Sequence, residues 1–198
     1  MRFEGKRWLD IVEEEMLPVT EVFAEKLLNS TELRKLYAPE SNATFDVYLT
    51  EFLWTPSTYA FAHRFNVPMI GLSSFGLVAF NEHALGGLVL PSHEYTWEME
   101  DNTGTNLPFL KRLRNFVNMW HNVYYTYDEL IPQQQKLAEK YFGPLPPLLD
   151  ILKNISLIFI NQADVMTPAR PKLANMITFT ASHIEKNLTA LPKARIIP

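Results

Sequence analysis

Two short apolar runs with polar residues at their ends constrain the fold of this chain more than any other feature. The first covers Phe45–Leu49 and leads to Glu51, and the second covers Val67–Leu72 and leads to Ser73 and Ser74. Between the runs, Thr55 and Pro56 form a Thr-Pro pair, which is typical of the start of a helix. Near-continuous apolar runs are typical of buried parallel strands. The order strand, helix, strand therefore predicts a right-handed crossover unit of a parallel sheet.

Further apolar runs extend this prediction to an α/β protein. Ile155–Ile160 and Met176–Thr180 are the expected third and fourth strands, and helices are expected over Lys6–Leu28 and Leu107–Phe142. Pro18 should kink or divide the first of these helices. The apolar residues of that helix recur at three- and four-residue spacing and mark its expected apolar face: Trp8, Ile11, Val12, Met16, Val19, Val22, Phe23 and Leu27. We expect a Rossmann-like parallel sheet with helices on both faces.

The polar residues at the strand ends predict a binding crevice. In open parallel sheets, ligands bind beyond the carboxyl ends of the strands. These ends are expected at Glu51, Ser73, Ser74, Asn161 and Thr180. An alternative interpretation is structural, because polar residues at strand ends also cap helices and satisfy the backbone of loops.

The segment Phe75–Asn106 and the helix after it are expected to line one side of such a crevice. The segment is too long for a plain connection, and long loops in compact domains are usually functional. On the helix, Phe116, Trp120 and Tyr124 are four residues apart, which places them on one face, although core packing would also explain the aromatic residues. Basic residues on the same helix could instead meet lipid head groups: Lys111, Arg112 and Arg114.

Composition excludes several classes of chemistry. The 198 residues suffice for one large domain or for half of a two-domain protein. The chain has no cysteine, so disulfides, cysteine-ligated zinc and thiol catalysis are excluded. It lacks the glycine-rich phosphate motifs and the G-x-S-x-G elbow, and none of its five histidines has metal-ligand spacing. The histidine spacing therefore predicts no metal site, and with a net charge of −4 we expect no nucleic-acid partner.

Signals for membranes and secretion are weak. The longest nearly uncharged apolar stretch, Val67–Phe80, has 14 residues, whereas a spanning helix needs about 20. The first residues lack the apolar centre of a signal peptide, so we expect neither an anchor nor a secretion signal in this chain. Four N-glycosylation triplets fit either chance or a lumenal location, and they begin at Asn29, Asn42, Asn154 and Asn187.

Several segments, taken in order, resemble the amino-terminal half of the UDP-glycosyltransferases, and the insect members fit best. The family pattern has a strand with an acidic end, then N-x-P-x-I-G-x-S-S, then S-L-x-x-x-N and R-P-x-x-x-N-M-I. The resemblance covers roughly Pro39 to His183. The segments that carry it are FDVYLTEFL, AFAHRFNVPMIGLSS, FLKRLRNF and NISLIFINQADVMTPARPKLANMITF.

This resemblance implies a two-domain enzyme of the GT-B class. Its amino-terminal half would bind a small lipophilic acceptor, and its carboxy-terminal half would bind a UDP-sugar as co-substrate, with no further cofactor. A histidine would deprotonate the acceptor hydroxyl, and an acidic residue would orient that histidine. Transfer of the hexose would invert the anomeric centre. A complete member would lie on the lumenal side of the endoplasmic reticulum membrane and could contact the membrane surface or form homo-oligomers.

Individual positions carry over from the family pattern. Glu51 matches the acidic residue that orients the histidine, where many members have Asp. Ser73, Ser74 and Phe75 match the strand end and loop that border the acceptor pocket, and Phe116, Trp120 and Tyr124 would add its aromatic side. His183 matches a histidine after the fourth strand, although the usual pair of glycines before it is Ala-Ser here. The segment GGLVLPSHEYT also departs from the pattern.

The same comparison predicts the domain organisation. Residues 1–183 would form the acceptor-binding domain, incomplete at its amino end, and residues 184–198 would be a linker. The catalytic histidine would precede Met1 and the donor-binding half would follow Pro198, so this chain is expected to bind acceptor without catalysing transfer alone. The alternative is a non-catalytic protein that binds lipophilic ligands or regulates an enzyme. An unrelated hydrolase or reductase is disfavoured by the absent motifs.

Overall fold

A computed structural model describes residues 8–74, 76–87, 107–163 and 171–180 of the chain. Its centre is a four-stranded sheet in the order β1-β2-β3-β4, in which every neighbouring pair is parallel. The strands are β1 (Tyr48–Glu51), β2 (Met69–Ser73), β3 (Leu157–Asn161) and β4 (Met176–Phe179). The predicted α/β class and parallel sheet are confirmed.

The helices precede, connect and flank these strands. Before β1 lie α1 (Trp8–Ile11), a π turn (Val12–Met16), α2 (Leu17–Leu28) and α3 (Thr31–Tyr37). A 3₁₀ turn (Pro56–Tyr59) and α4 (Ala60–Phe65) connect β1 to β2. Between β2 and β3 lie α5 (Ala79–Ala84), α6 (Phe109–Tyr125), a π turn (Thr126–Leu130), α7 (Ile131–Phe142) and α8 (Leu148–Lys153). The predicted linker 184–198 lies outside the described residues.

The first predicted helix is interrupted by a π turn, and its predicted apolar face is correct at Ile11 and Val12 but wrong at Val19, Val22 and Phe23. Pro18 lies in the first turn of α2, directly after the π turn, where its missing N–H costs little. A π turn has more residues per turn than an α-helix, so it changes the direction in which the following side chains point. Val19 is 67% exposed, and Val22 and Phe23 are also exposed. The buried residues of this part of the chain are Ile11, Val12, Leu17, Ala24 and Leu28.

The first strand also differs from its prediction. β1 begins at Tyr48 and includes Glu51, whereas the sequence predicted a buried strand over Phe45–Leu49. Leu49 is 57% exposed, and Phe45 and Val47 are also exposed. β1 is an edge strand among the described residues, so a continuous apolar run here does not mean burial on both faces. The first and last residues of β2, β3 and β4 each lie within two residues of the predicted ones.

The described helices cover one face of the sheet. Met69, Ile158 and Ile160 point to this face and share one core with residues of α4, α5, α7 and α8. Strands added in the order 1-2-3-4 by right-handed crossovers place their connecting helices on the same side. On the second face, for which helices were also predicted, Leu72 and Ile177 are exposed in the described part of the chain.

Two residues of the N-x-P-x-I-G-x-S-S motif shape the entry into β2. Asn66 ends α4 with φ 53° and ψ 49°, a left-handed conformation that asparagine tolerates better than most residues. Gly71 faces the core, and a Cβ added there would lie 3.0 Å from atoms of Phe52 and Ile155. Both residues therefore have structural reasons to be present, independent of any ligand.

Candidate functional site

The carboxyl ends of β1, β2 and β3 lie together at one edge of the sheet. Glu51 is the last residue of β1 and pairs with Leu72 of β2. Ser73 is the last residue of β2 and pairs with Ile160 of β3, one residue before Asn161. In open parallel sheets this edge is where ligands bind.

A row of hydrogen bonds links the three strand ends. The hydroxyl of Ser74 donates to Oε1 of Glu51 at 2.5 Å, and Nδ2 of Asn161 donates to the carbonyl oxygen of Ser74 at 3.4 Å. All three side chains are exposed to solvent. These three residues therefore meet at one edge of the sheet, as their positions after the strands predicted. We call Glu51, Ser74 and Asn161 the polar row.

Ser73 does not take part in the polar row. Successive side chains of a strand point to opposite faces, so Ser73 faces the core and is buried. Its hydroxyl donates to the carbonyl oxygen of Gly76 at 3.5 Å. The structural alternative, a polar side chain that satisfies the loop backbone, therefore describes Ser73 better than a crevice wall. Phe75 and His183 lie outside the described residues.

The aromatic residues predicted on one helix face are neighbours on α6. The ring centroids of Phe116 and Trp120 are 6.3 Å apart, and those of Trp120 and Tyr124 are 5.7 Å apart. Phe116 and Tyr124 are exposed, so core packing does not explain them. The core side of α6 is formed by Asn115, Met119 and Val123. We call Phe116, Trp120 and Tyr124 the aromatic face.

His83 joins this face, and sequence reasoning gave it no role. Its ring centroid is 5.5 Å from that of Trp120, and its Nδ1 lies 2.9 Å from the hydroxyl of Tyr127. Burial raises the pKa of Tyr127, so the phenol stays neutral at physiological pH. Because 44 residues separate His83 from Tyr127, no local sequence pattern predicts their contact.

The chemistry available at the polar row is that of a carboxylate and its hydrogen-bond partners. Glu51 can accept a hydrogen bond from an imidazole or a hydroxyl group, which is how a carboxylate orients a general base. Within residues 8–74, 76–87, 107–163 and 171–180, no cluster of three or more His, Asp or Glu residues could hold a metal ion. None of the described helices is long and apolar enough to cross a membrane.

Comparison with known proteins supports the family resemblance. The chain is similar to a UDP-glycosyltransferase, UGT5, of Dactylopius coccus, with 26% identity over 160 residues. The match takes in 77% of this chain and 29% of that protein, so the chain spans less than a third of the relative's length. No family model matches the chain, and no solved structure does. Together with the ordered motifs and the parallel sheet, this match supports a distant relationship to the UDP-glycosyltransferases.

Proposed function

We propose that this chain forms the acceptor-binding part of an inverting glycosyltransferase, which moves a hexose from a UDP-sugar to a hydroxyl group of a small lipophilic acceptor. The observation that carries the proposal is the polar row. Supporting it are the hydrogen bond between Ser74 and the carboxylate of Glu51 at the carboxyl edge of a parallel sheet, an edge where ligands commonly bind, and the similarity of the chain to a UDP-glycosyltransferase.

Glu51 acts in this mechanism through a histidine. The family resemblance implies that this histidine is the general base of the complete enzyme. Its imidazole removes the proton of the acceptor hydroxyl, the oxygen attacks the anomeric carbon, and UDP leaves with its bonding electrons. Glu51 holds the ring in the productive tautomer and stabilises the imidazolium that forms. Ser74 holds the carboxylate, and Asn161 holds the backbone of Ser74 at the end of β2.

The acceptor rests against the aromatic face. Planar lipophilic molecules stack on exposed rings and gain from leaving water, and Phe116 and Tyr124 offer such rings. Phe75 and Ser74 would border the same pocket. The UDP-sugar binds mainly to the other half of the enzyme, so this chain alone transfers no sugar.

We also propose that the complete protein lies on the lumenal side of the endoplasmic reticulum membrane and forms homo-oligomers.

Ligand binding to the 198-residue chain tests the proposal. Saturation-transfer NMR with a panel of planar phenols should detect binding, and Phe116→Ala or Tyr124→Ala should weaken it about tenfold through the lost ring contact. Phe23→Ala is the matched control, because Phe23 is a similarly exposed ring on α2. Unchanged affinity in both aromatic-face variants contradicts the assignment. Formation of a glycoside from UDP-glucose by the chain alone would refute the division of labour between the halves.

A second candidate function is non-catalytic binding or regulation, and an apolar cavity favours it. The cavity has a volume of about 220 Å³ and lies near the amino end of the sheet, away from the polar row. Its lining is almost wholly apolar: Leu33, Leu36, Phe45, Val47, Tyr48, Phe61, Phe65 and Val67. If Phe45→Ala abolishes phenol binding while Phe116→Ala leaves it unchanged, this second function replaces the first.

A further inference from the structure

The indole of Trp120 is the centre of a cluster of rings that α5 and α6 form together. Its centroid lies 6.3 Å from that of Phe116, 5.7 Å from that of Tyr124 and 5.5 Å from that of His83. The planes of the imidazole and the indole meet at 85°, so the imidazole stands nearly upright against the indole. The aromatic face therefore has a ring with hydrogen-bonding nitrogens at one border.

Tyr127 holds this imidazole in place. The Nδ1 atom of His83 lies 2.9 Å from the hydroxyl oxygen of Tyr127, and the ring of Tyr127 packs at 5.0 Å against the ring of buried Phe80. Burial raises the pKa of Tyr127, so the phenol keeps its proton. A phenol is a stronger donor than a neutral imidazole, so Tyr127 donates and Nδ1 accepts. In that tautomer the proton of the imidazole is on Nε2.

The second nitrogen of His83 is the one that a ligand would meet. The two nitrogens of an imidazole point away from each other, so Nε2 is directed away from Tyr127. Trp120 and Tyr127 are seven residues apart, which is about two helical turns and brings them to one side of the helix. His83 contacts both rings and is only partly buried. A molecule resting on the aromatic face would therefore lie beside the N–H group of Nε2.

We propose that Nε2 of His83 donates a hydrogen bond to a second oxygen of the acceptor, and so selects phenols that carry a carbonyl group opposite the reacting hydroxyl. This inference rests on the proposed function, because it requires an acceptor ring on the aromatic face. The ring stacks against Trp120, and the far end of the molecule meets the imidazole. An acceptor without the second oxygen removes water from Nε2 and gives no hydrogen bond in return, so it binds less well.

Two ligands of nearly equal shape test this inference, para-hydroxyacetophenone with the carbonyl group and para-isopropylphenol without it. NMR titration of the 198-residue chain gives the ratio of their dissociation constants. His83→Phe keeps a ring against Trp120 but removes the donor, so it should shift this ratio roughly fivefold against the ketone. His83→Gln should keep most of the preference, because its amide nitrogen can take the place of Nε2. Tyr127→Phe should lower the preference, since nothing then fixes the tautomer of His83.

The control is His121→Phe on α6, which should leave the ratio unchanged, because Nε2 of His121 contacts Glu13 at 3.0 Å and not the aromatic face. An unchanged ratio in His83→Phe would overturn the inference. Equal weakening of both ligands would also overturn it, because His83 would then only position α5 against α6. In both cases the phenols still bind the unmodified chain, so the proposed function survives. If neither phenol binds the unmodified chain, the proposed function is wrong and the role of His83 with it.

Discussion

Replacing Gly71 by alanine should destabilise the fold, because the core approaches this residue closely. Gly71 lies in β2 between Thr50 and Ile158 of the neighbouring strands. A Cβ atom built there would be 3.0 Å from Cδ1 of Ile155 and from two ring carbons of Phe52, whereas carbon atoms prefer about 3.5–4.0 Å. Phe52 and Ile155 are buried, so neither side chain can move into solvent.

The expected size of the effect follows from two opposing contributions. Alanine reduces the conformational entropy of the unfolded chain, which stabilises the fold by about 0.4–1 kcal/mol. The added methyl group overpacks the core, which costs about 1–3 kcal/mol. The midpoints of these ranges leave a net loss of about 1.3 kcal/mol in the free energy of unfolding. Urea denaturation followed by circular dichroism would show a lower midpoint with an unchanged slope.

A double-mutant cycle distinguishes overpacking from other causes. Ile155→Val removes the Cδ1 atom that the new methyl group would contact, and alone it should cost about 0.5–1.5 kcal/mol. In the Gly71→Ala background the same change should cost clearly less, since it also relieves the contact. If Gly71→Ala is as stable as the parent chain, or if the two changes are additive, the packing explanation is wrong. The glycine of the family motif would then need a reason other than core packing.

Three further predictions concern a helix end, a surface ion pair and the proposed mechanism. Asn66→Ala should lower the free energy of unfolding by about 1 kcal/mol because alanine disfavours left-handed backbone, while Asn66→Gly should leave it within a few tenths; equal loss in both would refute the capping role. The Lys140 ammonium lowers the pKa of Glu25 from 4.5, so this carboxylate stabilises the fold above pH 4.5 and loses that contribution as the pH falls through its folded pKa. Urea unfolding of Glu25→Gln should differ from the parent chain at pH 6 and converge with it once the pH lies below the folded pKa of Glu25; a constant difference would refute the linkage. In a full-length enzyme that contains this half, Glu51→Gln should lower kcat about a hundredfold or more with unchanged folding and acceptor binding, and normal kcat would remove Glu51 from the mechanism.

Local sequence determined the order of the elements and the position of the polar row. Apolar runs bounded by polar residues reflect parallel strands because such strands are buried along their length, and this predicted β2, β3 and β4 well. Parallel strands bring their carboxyl ends to one edge, so Glu51, Ser74 and Asn161 could be expected together from topology alone. Helical spacing also placed Phe116, Trp120 and Tyr124 on one face, since that depends only on 3.6 residues per turn.

Tertiary structure decided which of these surfaces are covered. The exposure of Leu49 and Val19 depends on which elements pack against β1 and α2. Neither a hydrophobic run nor a periodic pattern in the sequence indicates which elements those are. The π turn before α2 redirects the side chains that follow, because one widened turn changes the phase of a helix. The contact of His83 with Trp120 and Tyr127, like the close approach of Phe52 to Gly71, joins residues distant in sequence. Such contacts arise only when the elements dock, because packing is determined by side chains that meet in space and leave no local signal in the chain.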